Sequence, residues 1–253
     1  MADSTPKKQQ RENLVFSAKK ALIIGGTGGI GLALLKMLAE RGAEIVIHGG
    51  SSKEKLNKAI KTVQDMGGKA EGFLLNIDRA VYAEELQKKY PDIDILVCSF
   101  GPFMQGRLER HDLDAWEYMT EMNLIFPGLL VSKYLKRMMD NKWGRILLFG
   151  GTNTDHIRGF KTTVPYSAAK TALGVIAKSV ALSAGSQGVN CNVICPGLAD
   201  TEYCTEKQRS YNKKKSPDGE ALTTEEIAKI GISMLENPVL NGAIVGVDKG
   251  LVL

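Results

Sequence analysis

Cysteine is scarce in this chain: four residues in 253, at the irregular positions 98, 191, 195 and 204. That excludes a disulfide framework. No His or Cys spacing matches a zinc set, so no metal site is expected. Long apolar runs are also missing. The longest uncharged stretch, Ser179–Ala199, contains Ser183, Gln187, Asn190, Asn192 and Pro196, too polar for a membrane helix. Met1–Lys20 lacks the apolar centre of a signal peptide, so a reducing cytoplasm is the expected location. Excess charge is small, 33 basic against 28 acidic residues, with a cluster at Lys213–Lys215. Without an aromatic platform or recognition helix, this gives no support for a nucleic-acid partner. A composition 43% hydrophobic and 24% charged excludes disorder and fibrous repeats.

What is present is alternation. Residues 1–19 are polar and basic and read as a flexible arm, and residues 20–253 read as one domain. Short apolar runs of strand character fall at 21–24, 45–47, 72–75, 93–97, 145–149, 190–194 and 243–247. Amphipathic helical segments lie between them at 31–41, 52–66, 81–89, 115–140, 165–184 and 224–235. Strand–helix alternation of this kind builds right-handed βαβ units. The expected fold is therefore an α/β, doubly wound Rossmann domain, a seven-stranded parallel sheet with helices on both faces.

The first strand runs into Gly25-Gly26-Thr27-Gly28-Gly29-Ile30-Gly31, with a helix directly after it. Glycines there permit a tight turn, bring bare backbone to a pyrophosphate and let the helix pack close to the strand. The helix N-terminus then offers N–H groups to phosphate. No Gly-Lys-Ser/Thr follows, which disfavours a P-loop nucleotide hydrolase. No acid lies between Glu44 and Glu54, so the carboxylate that usually holds the NAD ribose is missing. Ser51, Ser52 and Lys53 instead offer two hydroxyls and an ammonium to a 2′-phosphate, although either serine could simply cap the next helix. NADP(H) is favoured; NAD(H) stays open.

Tyr166-Ser167-Ala168-Ala169-Lys170 opens a helical segment, and the i, i+4 spacing puts phenol and ammonium on one face. A phenol titrates near 10. Working around pH 7 needs a shift of about three units, about 4 kcal/mol. Lys170 and an oxidised nicotinamide would both favour the phenolate, making Tyr166 a candidate proton donor and acceptor.

From about Lys20 to the C-terminus the chain resembles the short-chain dehydrogenase/reductase family. The landmarks occur in order: the glycine loop, Asn76-Ile77, Asn123, Tyr166 with Lys170, Pro196-Gly197 with Thr201, and Val247-Asp248-Lys249-Gly250. The resemblance implies that Tyr166 is the acid/base and that Lys170 holds the nicotinamide ribose and tunes the phenol. It implies that Asn123 offers a main-chain carbonyl to a relay water. Pro127, four residues on and without an N–H, gives a reason for that carbonyl to be free. Asn76 and Ile77 match positions beside the adenine. Gly101 allows close cofactor approach, and Pro196, Gly197, Leu198 and Thr201 match the nicotinamide side.

Three departures from the family pattern stand out. The usual serine falls on Gly151 when aligned on the strand and on Asn153 when counted back from Tyr166. Thr152 supplies the nearest hydroxyl and is the expected oxyanion donor, with Asn153 second. Cys98-Ser99-Phe100-Gly101 replaces Asn-Asn-Ala-Gly, which removes the asparagine's bonding to the sheet. The glycine motif begins with Ile24 instead of Thr. The expectation is an NADP-preferring oxidoreductase acting on a carbonyl/alcohol carbon, with 3-oxoacyl thioesters on acyl carrier protein as one candidate substrate. Substrate choice is expected in the basic segment 202–220, and a homodimer or homotetramer is implied by the resemblance. The alternative is a cofactor-binding paralogue with weak or no catalysis.

Overall fold

In the first strand, β1 (Lys20–Ile24), Leu22 and Ile24 enter one apolar layer while Ala21 and Ile23 enter the other, all fully buried. Successive strand side chains point to opposite faces, so a strand apolar at every position must be covered on both. The computed structural model, which describes residues 14–251, continues this plan. The elements that follow are α1 (Gly29–Glu40), β2 (Glu44–Gly49), α2 (Lys53–Asp65), β3 (Ala70–Leu74), α3 (Tyr82–Lys89) and β4 (Ile95–Cys98). After a 3₁₀ turn at Leu108–Arg110 come α4 (Leu113–Thr120), a π turn (Glu121–Ile125), α5 (Phe126–Asp140), β5 (Gly144–Phe149) and α6 (Val164–Ala184). The remainder is β6 (Val189–Pro196), β7 (Ala199–Asp200), α7 (Glu206–Lys215), β8 (Leu222–Thr223), α8 (Thr224–Glu236) and β9 (Ile244–Val247).

Seven strands form one parallel sheet in the order β3-β2-β1-β4-β5-β6-β9, and β7 pairs with β8 in a separate small ladder. One layer packs Leu34 and Leu38 of α1, Val63 of α2 and Ile232 of α8 on the sheet. The opposite layer packs Leu86 of α3, Tyr134 of α5 and Leu173 of α6. Strand order reverses at β1: its register partners are Ile45 for Ala21 on one side and Ile95 for the same residue on the other. That reversal opens a crevice at the carboxyl ends of β1 and β4, where ligands enter sheets of this kind.

Three local features differ from the sequence expectation. The helix expected over 115–140 starts at Leu113, with the Asp112 carboxylate accepting the Ala115 N–H at 3.0 Å. It is then interrupted by the π turn, in which the Phe126 N–H reaches the Glu121 carbonyl. Pro127 cannot donate to the Asn123 carbonyl, and the register of the ladder shifts around it. The segment 202–220 contains a helix, α7, whose polar sequence shows no apolar stripe; only the Thr205/Gln208 capping box marks its start.

The expected arm is also shorter than residues 1–19. Phe16 is buried, with its ring edge-on to Trp143, and its N–H donates to the Arg41 carbonyl at 2.9 Å. Residues 1–13 of that expected arm lie outside the described residues.

Candidate active site

The glycine loop leaves β1 at Gly25, whose φ of +82° a side chain would strain. Six residues on, a Cβ at Gly31 would collide with the Gly25 carbonyl and come within 2.6 Å of the Ser99 hydroxyl. These are the turn and the close approach that the sequence pattern calls for, and Thr27, Gly28, Gly29 and Ile30 complete the loop and the first turn of α1. The loop is held from below by His48 at the end of β2. Its Nδ1 accepts the Gly25 N–H at 3.1 Å while Nε2 meets the Leu75 carbonyl at 2.8 Å. A carbonyl only accepts, so Nε2 carries the proton. Burial pulls the His48 pKa below its usual value, which keeps the ring neutral.

Beyond β2, the side chains of Ser51, Ser52 and Lys53 are exposed. Ser52 is the N-cap of α2, its hydroxyl accepting the Lys55 N–H at 3.2 Å, so the capping alternative holds for this serine. Ser51 and Lys53 are exposed just beyond the carboxyl end of β2. Asn76, exposed, and Ile77, buried, follow β3 on the same side of the sheet.

At the end of β4 the Ser99 hydroxyl donates to the Ile24 carbonyl at 2.8 Å. The anchoring to the sheet that the asparagine-free sequence was expected to lose is thus supplied by serine. Gly101 is required where it stands. A Cβ there would collide with the Asn123 side-chain oxygen and lie 3.0 Å from Lys170 Nζ. Asn123 is fully buried in the π turn. Its amide donates to the Pro102 carbonyl at 3.1 Å, and its Oδ1 has no hydrogen-bond partner among the described residues. A buried acceptor without a partner next to a lysine is a place for water or a polar ligand group.

Tyr166 and Lys170 sit in the first turns of α6, with Pro165 inside its start. Lys170 is buried; its ammonium donates to the Phe149 carbonyl at 2.8 Å and lies 5.9 Å from the Tyr166 ring centre. Burial pulls the Lys170 pKa down to about 8. Burial first, and Cys195 second, pushes the Tyr166 pKa up to about 12. The lowering of the phenol by Lys170 expected from the spacing is therefore not what the protein alone produces. Removal from water dominates, and the Lys170 ammonium is bonded elsewhere, to the Phe149 carbonyl. At neutral pH Tyr166 is a protonated donor.

Gly151 faces the phenol, since a Cβ there would come within 2.8 Å of the Tyr166 oxygen. Residues 151–154 close a turn, with the Thr154 N–H on the Gly151 carbonyl at 3.1 Å and the Thr154 hydroxyl on the Gly151 N–H at 2.8 Å. Thr152 and Asn153 occupy its tip. Asn153 has φ +59°, a conformation Asn tolerates better than most side chains. Neither is hydrogen-bonded to Tyr166. On the far side, Gly197 donates to the Val247 carbonyl at 2.9 Å and fixes the turn after Pro196. Leu198 follows, and the Thr201 hydroxyl accepts the Tyr203 N–H at 3.3 Å.

Three residues near the site were not singled out from the sequence. His48 supports the loop, Phe103 sets its ring edge-on to Tyr166 with centres 5.0 Å apart, and Glu202 reaches the Gly29 N–H. Each acts across more than 20 residues of chain, and no local spacing announces such a contact. Among the described residues no group of three or more His, Cys, Asp or Glu side chains could hold a metal. Nor is any described helix long and apolar enough to cross a membrane.

Residues 19–212 match the family model described as short chain dehydrogenase, and the chain belongs to that family of oxidoreductases. An uncharacterized oxidoreductase, YvaG, of Bacillus subtilis is 29% identical over 94% of this chain and 98% of its own. The 3-oxoacyl-[acyl-carrier-protein] reductase FabG of Escherichia coli is 30% identical over 84% of this chain and 88% of its own. A solved short chain dehydrogenase/reductase family protein, 27% identical, superposes with a TM-score of 0.81 over 94% of this chain and 98% of its own.

Proposed function

We propose that this protein is an NADP-preferring reductase that converts a ketone to an alcohol, with Tyr166 as the proton donor and a 3-oxoacyl thioester as the substrate class. One observation carries the reading: a half-buried Tyr166 phenol, protonated at neutral pH, on the same helix turn as the buried Lys170 and facing Gly151 at the end of β5. Reduction leaves charge on the carbonyl oxygen, and a protonated phenol within reach neutralises it. The residues fit a dinucleotide, because the Gly29 N–H at the start of α1 already holds an anion, the Glu202 carboxylate. When bound, the nicotinamide supplies the hydride.

In this reading Lys170 orients the ribose side of the site and returns a proton toward Tyr166 through the polar space next to Asn123. Thr152, with Asn153 as alternative, donates to the carbonyl oxygen from the tip of the 151–154 turn. Ser51 and Lys53 receive the 2′-phosphate, and Asn76 and Ile77 flank the adenine. Gly101 lets the cofactor approach, while Pro196, Gly197, Leu198 and Thr201 border the nicotinamide. The similarity to FabG supports the thioester substrate, and a homodimer or homotetramer is the proposed assembly.

Titration with NADPH and NADH, followed by nicotinamide fluorescence, tests the cofactor. A screen of ketones and 3-oxoacyl thioesters with the tighter binder tests the reaction. Tight NADPH binding with no turnover of any ketone would favour the non-catalytic paralogue.

A further inference from the structure

The first turn of α1 is filled by the protein itself. The Gly29 N–H meets both Glu202 carboxylate oxygens at 3.0 Å. A Cβ on Gly28 would collide with that carboxylate and come within 2.5 Å of the Tyr203 hydroxyl. Tyr203 in turn lies beneath the Lys55 ammonium, 4.7 Å from the ring centre. So a side-chain anion and a phenol stand where the reading above puts a pyrophosphate. The two anions need the same N–H, and like charges this close repel.

The segment that carries these residues is held at both ends, while the Glu202 and Tyr203 side chains are exposed. On one side Ala199 and Asp200 pair with Leu222 and Thr223, and the Arg209 guanidinium holds Asp200 at 2.8 Å and the Thr201 carbonyl at 3.2 Å. On the other, Thr205 caps α7. Only 202–204 lie between these two anchors, and the Tyr203 and Cys204 N–H groups donate to the Thr201 hydroxyl and carbonyl at 3.3 and 3.0 Å. The exposed Glu202 and Tyr203 side chains can leave the loop by χ rotation alone.

We propose that Glu202 is an internal competitor for the dinucleotide: Glu202 and Tyr203 latch the glycine loop, and cofactor entry must expel them. The proposal rests on the glycine loop being the cofactor site. Its consequence is that apparent cofactor affinity is lowered by the fraction of molecules with the latch closed. The displaced segment begins the stretch expected to select substrate, so cofactor binding and the shape of the substrate side become coupled.

The test is the NADPH dissociation constant of the wild type, Glu202→Gln, Glu202→Ala and Glu206→Gln, read by nicotinamide fluorescence without substrate. Glu206→Gln removes one nearby negative charge that does not touch the loop. Amide hydrogen exchange at Gly29 in the free protein supplies a second readout. The expected result is binding at least threefold tighter in both Glu202 variants, a smaller change in Glu206→Gln, and faster Gly29 exchange in Glu202→Ala. Unchanged or weaker binding in the Glu202 variants, or an equal gain in Glu206→Gln, overturns the latch and leaves the cofactor site intact. Failure of the wild type and of both Glu202 variants to bind either dinucleotide overturns the cofactor reading and the latch with it.

Discussion

His48 accepts the Gly25 N–H on Nδ1 at 3.1 Å, tying the second strand to the first residue of the glycine loop. The bond exists only while that nitrogen is unprotonated. Around the ring stand Phe73 and Phe100, with the Leu75 carbonyl on the other nitrogen, and no charged side chain contributes to its titration. The folded pKa lies below the ordinary 6.5, so the unfolded chain takes up the proton first. The stability this bond contributes is fully present above about pH 6.5 and is lost as the pH falls through the folded value. Loop order and NADPH affinity should weaken only at lower pH, as His48 protonates within the folded protein. In His48→Asn, where the amide oxygen can accept without titrating, that part of the pH dependence should vanish. An unchanged profile in the variant would remove His48 from the explanation.

Tyr166→Phe deletes the proposed proton donor and little else, because among the described residues the hydroxyl has no hydrogen-bond partner. Ketone reduction should fall by about 10²- to 10⁴-fold while the NADPH dissociation constant changes little. Retained turnover would assign proton delivery to another group.

Position 151 tests why this chain dispenses with the family serine. A Cβ there meets Tyr166 Cε1 and Oη, both at 2.8 Å, and Phe103 stands against the same ring. Gly151→Ser should therefore displace the phenol rather than add a donor. Turnover should drop on the order of 10²-fold, as expected for a misplaced catalytic group, with the melting temperature nearly unchanged. A gain in turnover would show that the crevice readily accepts the serine.

The two serines after β2 should separate cleanly. Ser52→Ala removes the cap on α2 and should cost about 1 kcal/mol of stability, seen in urea unfolding. Ser51→Ala should leave stability alone. Lys53→Ala should weaken NADPH by roughly tenfold, about 1.4 kcal/mol, and NADH hardly at all. Equal losses for both dinucleotides would argue against a 2′-phosphate contact.

Much of the architecture was legible because it is written in short-range periodicity. Each of the seven runs of strand character overlaps one strand of the observed parallel sheet, and the glycine loop joins strand to helix as the pattern requires. Tyr166 and Lys170 could be paired from spacing alone because four residues on a helix is a contact. The break at 121–125 was half visible: Pro127 announced a free carbonyl, but the π turn that accommodates it depends on packing around Asn123. α7 was missed for a physical reason, since a helix with no apolar face has no hydrophobic period to read.

The sequence by itself determined the fold class, the glycine loop between first strand and helix, and the placing of Tyr166 and Lys170 one turn apart on a helix, all of which follow from local pattern. Only the tertiary structure decided which groups meet across the chain: His48 under Gly25, Glu202 on Gly29, Ser99 on Ile24 and Gly151 against Tyr166. It also decided the protonation of Tyr166. A phenol's affinity for its proton depends on how much water and which charges surround it, and those are set by residues far away in sequence.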